Sequence, residues 1–202
     1  MAVGIDVGIK NFAYDSDGFV TPNPQNLKKI LKPLARVQRK IPGRQFGSNN
    51  RKKAIRWYQV IHERIANRRK GFQHKLSTIY ARKYDAICVE KLQLTDMVKN
   101  PRFSRSIMDS SWGAFLQKLE YKVNLYVEAE SRNTTMHCSR CGNKMPKSLA
   151  VRMHRCDKCN LVMDRDCNAS INILNKAIPQ ELRKLTPVEI SMRSMKQEDH
   201  VL

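Results

Sequence analysis

Residues 138–169 read CSRCGNKMPKSLAVRMHRCDKCNLVMDRDCNA. Two Cys-x-x-Cys pairs, Cys138/Cys141 and Cys156/Cys159, stand 14 residues apart, and Asp164-Arg165-Asp166 begins five residues past the last cysteine. The separation is one residue short of the usual range for a four-cysteine zinc pattern. Each pair is nonetheless a tight knuckle aiming two thiolates at one centre, and tetrahedral zinc in a closed, structural site is the expected occupant. Two disulfides would need oxidising surroundings, and neither pair precedes a thioredoxin-like helix. With four thiolates completing the shell, His137 and His154 read as flanking polar residues. Cys88 and Cys167 lack such partners and read as buried thiols. The end of the stretch places Asp166 at the start of a helix, with Asp164 as an alternative cap.

Two further acids stand at strand ends. Asp6 lies in Val3-Gly4-Ile5-Asp6-Val7-Gly8, where an ionised carboxylate is costly unless it is paired or meets a cation. Gly4 and Gly8 leave room for something to approach the backbone. Glu90 closes Ile87-Cys88-Val89-Glu90 in the same way. Taken singly, each acid has an ordinary reading as a turn, surface or capping residue. Together, Asp6, Glu90 and Asp166 can meet at the carboxyl edge of an α/β sheet, where Mg²⁺ or Mn²⁺ prefers such oxygen ligands. A pair of those ions clamps the attacking and leaving oxygens of a phosphodiester.

Charge points to the same class of partner. The chain has 202 residues with 38 Lys+Arg against 18 Asp+Glu, a net +20, and a 41% hydrophobic content sufficient for a core. Between Lys28 and Lys83 stand 18 Lys/Arg and one acid, Glu63. A run this long and one-signed indicates a polyanion such as DNA or RNA rather than a solvated helix face. Arg51, Lys52, Lys53, Arg56, Arg68, Arg69 and Lys70 are the expected contacts. No apolar stretch of about 18 residues is present and Met1 leads directly into a strand, so a cytoplasmic, nucleoid-associated protein without a membrane partner is expected.

The remaining pattern predicts a β-hairpin sheet over residues 2–20 and a helix from Leu27 to about Lys40 capped by Asn26, with Pro33 marking a kink or a late start. A long helix is expected from Ser48 or Asn49 to about Lys83, burying Tyr58, Ile61, Ile65, Phe72, Leu76 and Ile79. Ala86–Glu90 reads as a buried strand, Ser106 to about Tyr121 as one helix, Val123–Glu128 as a strand and Asp166–Ala177 as a helix. The expected class is α/β, a mixed sheet with flanking helices.

Several motifs resemble the TnpB (OrfB) family of transposon-encoded proteins, relatives of type V CRISPR effectors. They are Gly4-Ile5-Asp6-Val7-Gly8-Ile9-Lys10-Asn11 with Ser16-Asp17-Gly18, Val89-Glu90-Lys91-Leu92, and Ser111-Trp112-Gly113-x-Phe115. The cysteine ribbon follows, with Asp164-Arg165-Asp166-x-Asn168-Ala169-x-x-Asn172-Ile173. The resemblance spans about residues 3–175. It implies an RNase H-like (RuvC) nuclease over 1–135 and 160–178, a zinc-ribbon insertion at 136–162 and a polar tail at 179–202. It further implies Asp6, Glu90 and Asp166 as divalent-metal ligands, and DNA cleavage directed by a guide RNA. Family members carry a guide-binding half before the first carboxylate strand, so a missing half or partner chain is also expected.

Two readings compete with a metal-dependent endonuclease. A non-catalytic zinc-ribbon protein would need only the ribbon and the basic helices. An actin-like ATPase would use Asp6-x-Gly8 as a phosphate loop, but the second glycine-rich loop such a protein needs is not in the sequence.

Overall fold

The computed structural model describes residues 1–130, 134–146, 148 and 151–178; the polar tail expected from 179 lies outside the described residues. In chain order the elements are β1 (Ala2–Val7), β2 (Asn11–Asp15), β3 (Val20–Pro22), α1 (Asn26–Lys40), α2 (Asn49–Lys83), β4 (Ala86–Glu90) and α3 (Leu94–Met97). They continue with α4 (Ser104–Ser110), α5 (Trp112–Glu120), β5 (Leu125–Ala129), β6 (Met153–Arg155), β7 (Val162–Asp164) and α6 (Arg165–Ala177). Five strands form a mixed sheet in the order β3-β2-β1-β4-β5, while β6 and β7 pair separately. The β1–β2 and β2–β3 pairs are antiparallel, and β1–β4 and β4–β5 are parallel.

Alternation along the strands sorts side chains to two faces. Val3, Ile5, Ile87 and Val89 point to one side, where Leu76, Tyr80, Ile107, Trp112, Phe115 and Leu119 from α2, α4 and α5 cover them. Ala2, Ala86, Cys88 and Val127 belong to the other side and pack on Ile173, Leu174 and Ile178 of α6 and its end. Gly4 explains how closely α6 settles there: a β-carbon at that position would lie 2.1 Å from the Ser170 carbonyl oxygen and 2.9 Å from Leu174 Cβ. The space left by Gly4 is therefore occupied by a helix.

Helix α2 is 35 residues long, about 52 Å at 1.5 Å per residue. Ser48 caps it by accepting the Arg51 amide. Its far half packs on the sheet, and its near half pairs with α1 through Leu34, Ile61 and Ile65. Ile79 does not join the buried stripe: it is exposed, and Tyr80 takes the inward position together with Gln73 and Ser77. A 3.6-residue period makes Tyr80, four residues past Leu76, the next position on that face.

Helix α1 runs unbroken through exposed Pro33, while Ile30, Leu34 and Val37 hold the helix on α2. The cap expected from Asn26 comes instead from Asp109 of α4, whose two carboxylate oxygens each accept the Leu27 amide at 3.0 Å. The helix expected over 106–121 is two helices broken at Ser111, which adopts a left-handed backbone (φ 53°). Buried Gln73 stabilises that break by donating to the Ser110 and Ser111 carbonyls at 3.1 and 2.9 Å. Among the described residues no helix is long and apolar enough to cross a membrane.

Candidate functional site

The register between β1 and β4 sets the first feature of the site. Ile5 lies opposite Val89 in a parallel pair, so one further step brings Asp6 abreast of Glu90. Both belong to the alternation set that faces α6, and the first turn of α6 contributes Asp166. Asp164 is the cap of that helix, accepting the Asp166 amide at 2.8 Å. Three acids separated by up to 160 positions thus converge on one sheet edge at a helix N-terminus.

Electrostatics register the convergence. The Asp6 carboxyl is held well above the ordinary carboxylate range, first by burial, then by Glu90 and Asp166, with Arg165 opposing and Asp164 adding to the rise. Glu90 is raised as well, chiefly by burial, against the Thr134 hydroxyl that donates to it at 3.0 Å. Asp166 is flanked by guanidinium groups, with Arg165 Nε at 3.2 Å and Arg152 Nη1 at 3.6 Å. Hard oxygen donors crowded against their own repulsion fit a divalent cation. The three carboxylates are nevertheless looser than the thiol cluster, the sole group of three or more metal-type ligands drawn within 4.8 Å among the described residues.

The ribbon brings Cys138, Cys141, Cys156 and Cys159 together, with Cys138 and Cys159 sulfurs 3.6 Å apart and Cys141 and Cys156 sulfurs 3.5 Å apart. A tetrahedron with metal–sulfur bonds near 2.3 Å requires sulfur separations of about 3.8 Å. Each knuckle closes with a left-handed residue: Gly142 (φ 72°) sends its amide to the Cys138 carbonyl, and Asn160 (φ 56°) does the same for Cys156. Burial by itself would raise the Cys156 thiol. Amides of Cys159 and Lys158 and the thiols of Cys141 and Cys159 outweigh it and bring Cys156 down to about 6. Cys159, half-buried, moves the other way, to about 12, through desolvation and the thiols of Cys138, Cys141 and Cys156. The donor set and its spacing fit zinc. His154 is wholly buried and stands outside the four-thiol cluster.

Two residues quoted within the motif had no role assigned to them from sequence. Asn168, fully buried in α6, accepts the Ser139 amide at 2.9 Å and donates to the His137 carbonyl at 2.8 Å. Asn172, one turn later, donates to the carbonyls of Thr134 and His137, both at 2.7 Å. They fasten the first cysteine knuckle to the helix that carries Asp166. Their signal was the four-residue spacing of two amides within an otherwise apolar helix face.

The basic residues divide into two groups. Lys52, Lys53, Arg56, Arg68 and Lys70 are exposed on α2. Arg51 instead clasps the α1–α2 turn, donating to the Ile41 and Arg44 carbonyls and lying over Phe46. Arg69 pairs with the capping Asp109 at 3.4 Å. These two serve the fold directly.

The OrfB_IS605 family, described as "Probable transposase", matches residues 1–101, and the Cas12f1-like TNB domain matches residues 112–173. A protein of Streptomyces pristinaespiralis named "Putative RNA-guided DNA endonuclease" is 38% identical over 181 residues, 86% of this chain and 44% of that one. InsQ of Escherichia coli K12, given the same description, is 29% identical across 85% of this chain and 48% of its own. The chain thus spans less than half the length of these relatives. A solved Cas12f1–sgRNA–target DNA complex shares the fold with a TM-score of 0.57 at 18% identity, covering 86% of this chain and 49% of that one.

Proposed function

The chain belongs to the OrfB_IS605 family of probable transposases, and from that premise we propose that it carries the DNA-cutting part of an RNA-guided, transposon-associated endonuclease. The observation that carries this reading is the meeting of Asp6, Glu90 and Asp166 at the α6 end of β1 and β4, where Asp6 is raised by burial and by the other two acids. In this reading residues 1–135 with 160–178 form a RuvC-like nuclease, 136–162 its zinc ribbon and 179–202 a tail. Cys138, Cys141, Cys156 and Cys159 would hold zinc, and Asp6, Glu90 and Asp166 would hold Mg²⁺ or Mn²⁺. Such an ion, when bound, supplies Lewis-acid polarisation of the phosphodiester and lowers the pKa of a bound water.

The chain's own residues set the stage for that chemistry. β1 and β4 fix two carboxylates side by side on one face, and the Asp164 cap fixes the start of α6 and so the backbone position of Asp166. Arg152 and Arg165 beside Asp166 supply positive charge where a phosphate would lie. Lys52, Lys53, Arg56, Arg68 and Lys70 steer the polyanion to this edge by long-range attraction. DNA and a guide RNA are the proposed partners.

The test is nicking of supercoiled DNA with Mg²⁺ or Mn²⁺. Cleavage that a chelator stops and that Asp6→Ala lacks, while DNA binding persists, is expected. Undiminished cleavage by Asp6→Ala overturns the assignment. A parent chain that binds DNA but never cuts it with either ion would favour the non-catalytic zinc-ribbon reading.

A further inference from the structure

Helices α1 and α2 form a second feature, separate from the carboxylate edge. Between them opens an apolar groove of about 220 Å³, lined by Ile30, Pro33, Val37, Trp57, Ile61 and the stems of Arg64 and Arg68. Its size is below the roughly 300–1,000 Å³ of drug-sized ligand pockets, suited to a single ring system. Trp57 is 50% exposed although it is among the most costly side chains to leave in water, and the Arg64 guanidinium lies 5.5 Å from its ring centroid. The fold gives Trp57 no core role: the α1–α2 seam is made by Leu34, Ile61 and Ile65.

We propose that this groove holds an unpaired nucleobase of a bound nucleic acid, stacked on Trp57, with the surrounding Arg and Lys side chains on the adjoining phosphates. The inference rests on the nucleic-acid reading above and adds to it a site that recognises a base face rather than the backbone. Charge selects the occupant. The groove lies within the Lys28–Lys83 segment with its 18 cations and one acid, so a second copy of this +20 chain would be repelled, whereas a ring carried on a polyanion is drawn in. Aromatic faces accept any base, so the site is sequence-tolerant and selects unpaired over paired strands.

The chain has two tryptophans, and the other, Trp112, is buried in the main core. Quenching of the exposed component of tryptophan emission by a single-stranded oligonucleotide therefore reports on Trp57. Affinity for that oligonucleotide, measured over a range of salt, should fall about 5- to 150-fold in Trp57→Ala with an unchanged salt slope, and be largely kept in Trp57→Phe. A blunt duplex should bind both variants as it binds the parent. Equal single-strand affinity for parent and Trp57→Ala overturns the proposal while leaving the nuclease reading intact. A parent with no affinity for any nucleic acid overturns both. Quenching by an acidic peptide or by anionic lipid vesicles that displaces the oligonucleotide also overturns it, since the groove would then answer to charge or to apolar surface alone.

Discussion

The cysteine ribbon and the carboxylate edge gather side chains of one chemical kind in two different ways. In the ribbon, four soft ligands come from two short knuckles and lie within 4.8 Å of one another. At the edge, three carboxyl groups come from β1, β4 and α6; burial and mutual repulsion raise Asp6, while Arg152 and Arg165 pair with Asp166. A small ribbon has little core of its own, here Leu161 and Met163 around the cysteines, so ligand geometry must supply its fold. The edge sits on a full core, so its ligands can remain apart without loss of structure. A ligand set made locally serves stability, and one assembled by tertiary packing is free to serve chemistry.

The largest expected effect tests the ribbon half of this contrast. One zinc per chain should be found by elemental analysis, and Cys138→Ser should release it. Because zinc binding in small domains is worth on the order of 10–16 kcal/mol, the loss should make residues 136–162 protease-sensitive while the sheet stays folded. Metal-free protein with an intact, protected ribbon would break the comparison.

Next in size is cleavage. Asp6→Ala, Glu90→Ala and Asp166→Ala should each remove nicking, with double variants hardly worse than singles, because groups that act as a unit do not add. Thermal stability should be held or raised in Asp6→Ala, which removes a buried carboxyl repelled by Glu90 and Asp166, and lowered in Asp166→Ala, which loses its Arg152 and Arg165 pairs. Asp164→Ala should keep activity, because Asn168 and Asn172 still anchor the start of α6, at the cost of a helix cap, about 1 kcal/mol. A double variant at least tenfold slower than either single would mean that the acids work separately.

The two regions are joined by Asn168, and its replacement sharpens the contrast. Asn168→Ala strands the Ser139 amide and leaves the His137 carbonyl to Asn172 alone, costing about 1–3 kcal/mol in a buried setting. Zinc should remain bound, yet nicking should fall because the ribbon no longer fixes the start of α6. Loss of zinc on this substitution would show the ribbon to be less self-sufficient than the comparison holds.

Acidity should act on the two regions in opposite senses, with the smallest effect. Asp6 and Glu90 keep their protons to higher pH in the fold than in the unfolded chain. Their contribution to stability is therefore full below the ordinary carboxylate range and is lost as pH rises through their raised values. Zinc-loaded protein without magnesium should show a falling urea midpoint over that rise, and magnesium should flatten the slope. Acid should instead release zinc, because the thiolates must be deprotonated to bind it. A magnesium-insensitive midpoint would separate the carboxylates from any ion.

Much of this architecture was legible because its signals were local. Cysteine spacing located the ribbon ligands, and short apolar runs located β1 and β4 with their acids. What escaped was set by distant partners. Nothing near Leu27 indicates that Asp109 will cap α1, and the break at Ser111 becomes favourable only because Gln73, 38 residues earlier, satisfies its carbonyls. Arg51 and Arg69 look like their neighbours in the basic run, yet the α1–α2 turn and Asp109 claim them. Ile79 and Tyr80 stand three and four residues past Leu76, both compatible with one helix face, and the position of the sheet decides for Tyr80.

The missing side chain at position 4 works as a calliper. The depth at which α6 rests on β1 is set by bare backbone against the Ser170 carbonyl, and Asp166 travels with that helix while Asp6 travels with the strand. Adding one methyl group at Gly4 would force the 2.1 Å contact open by more than 1 Å, spreading the jaws between the two carboxylates without touching either. In the nuclease reading proposed above, preference among ions of different radius would then shift toward the larger, from magnesium toward manganese or calcium. The choice of metal would be written two residues away from the ligand, in the width of a gap.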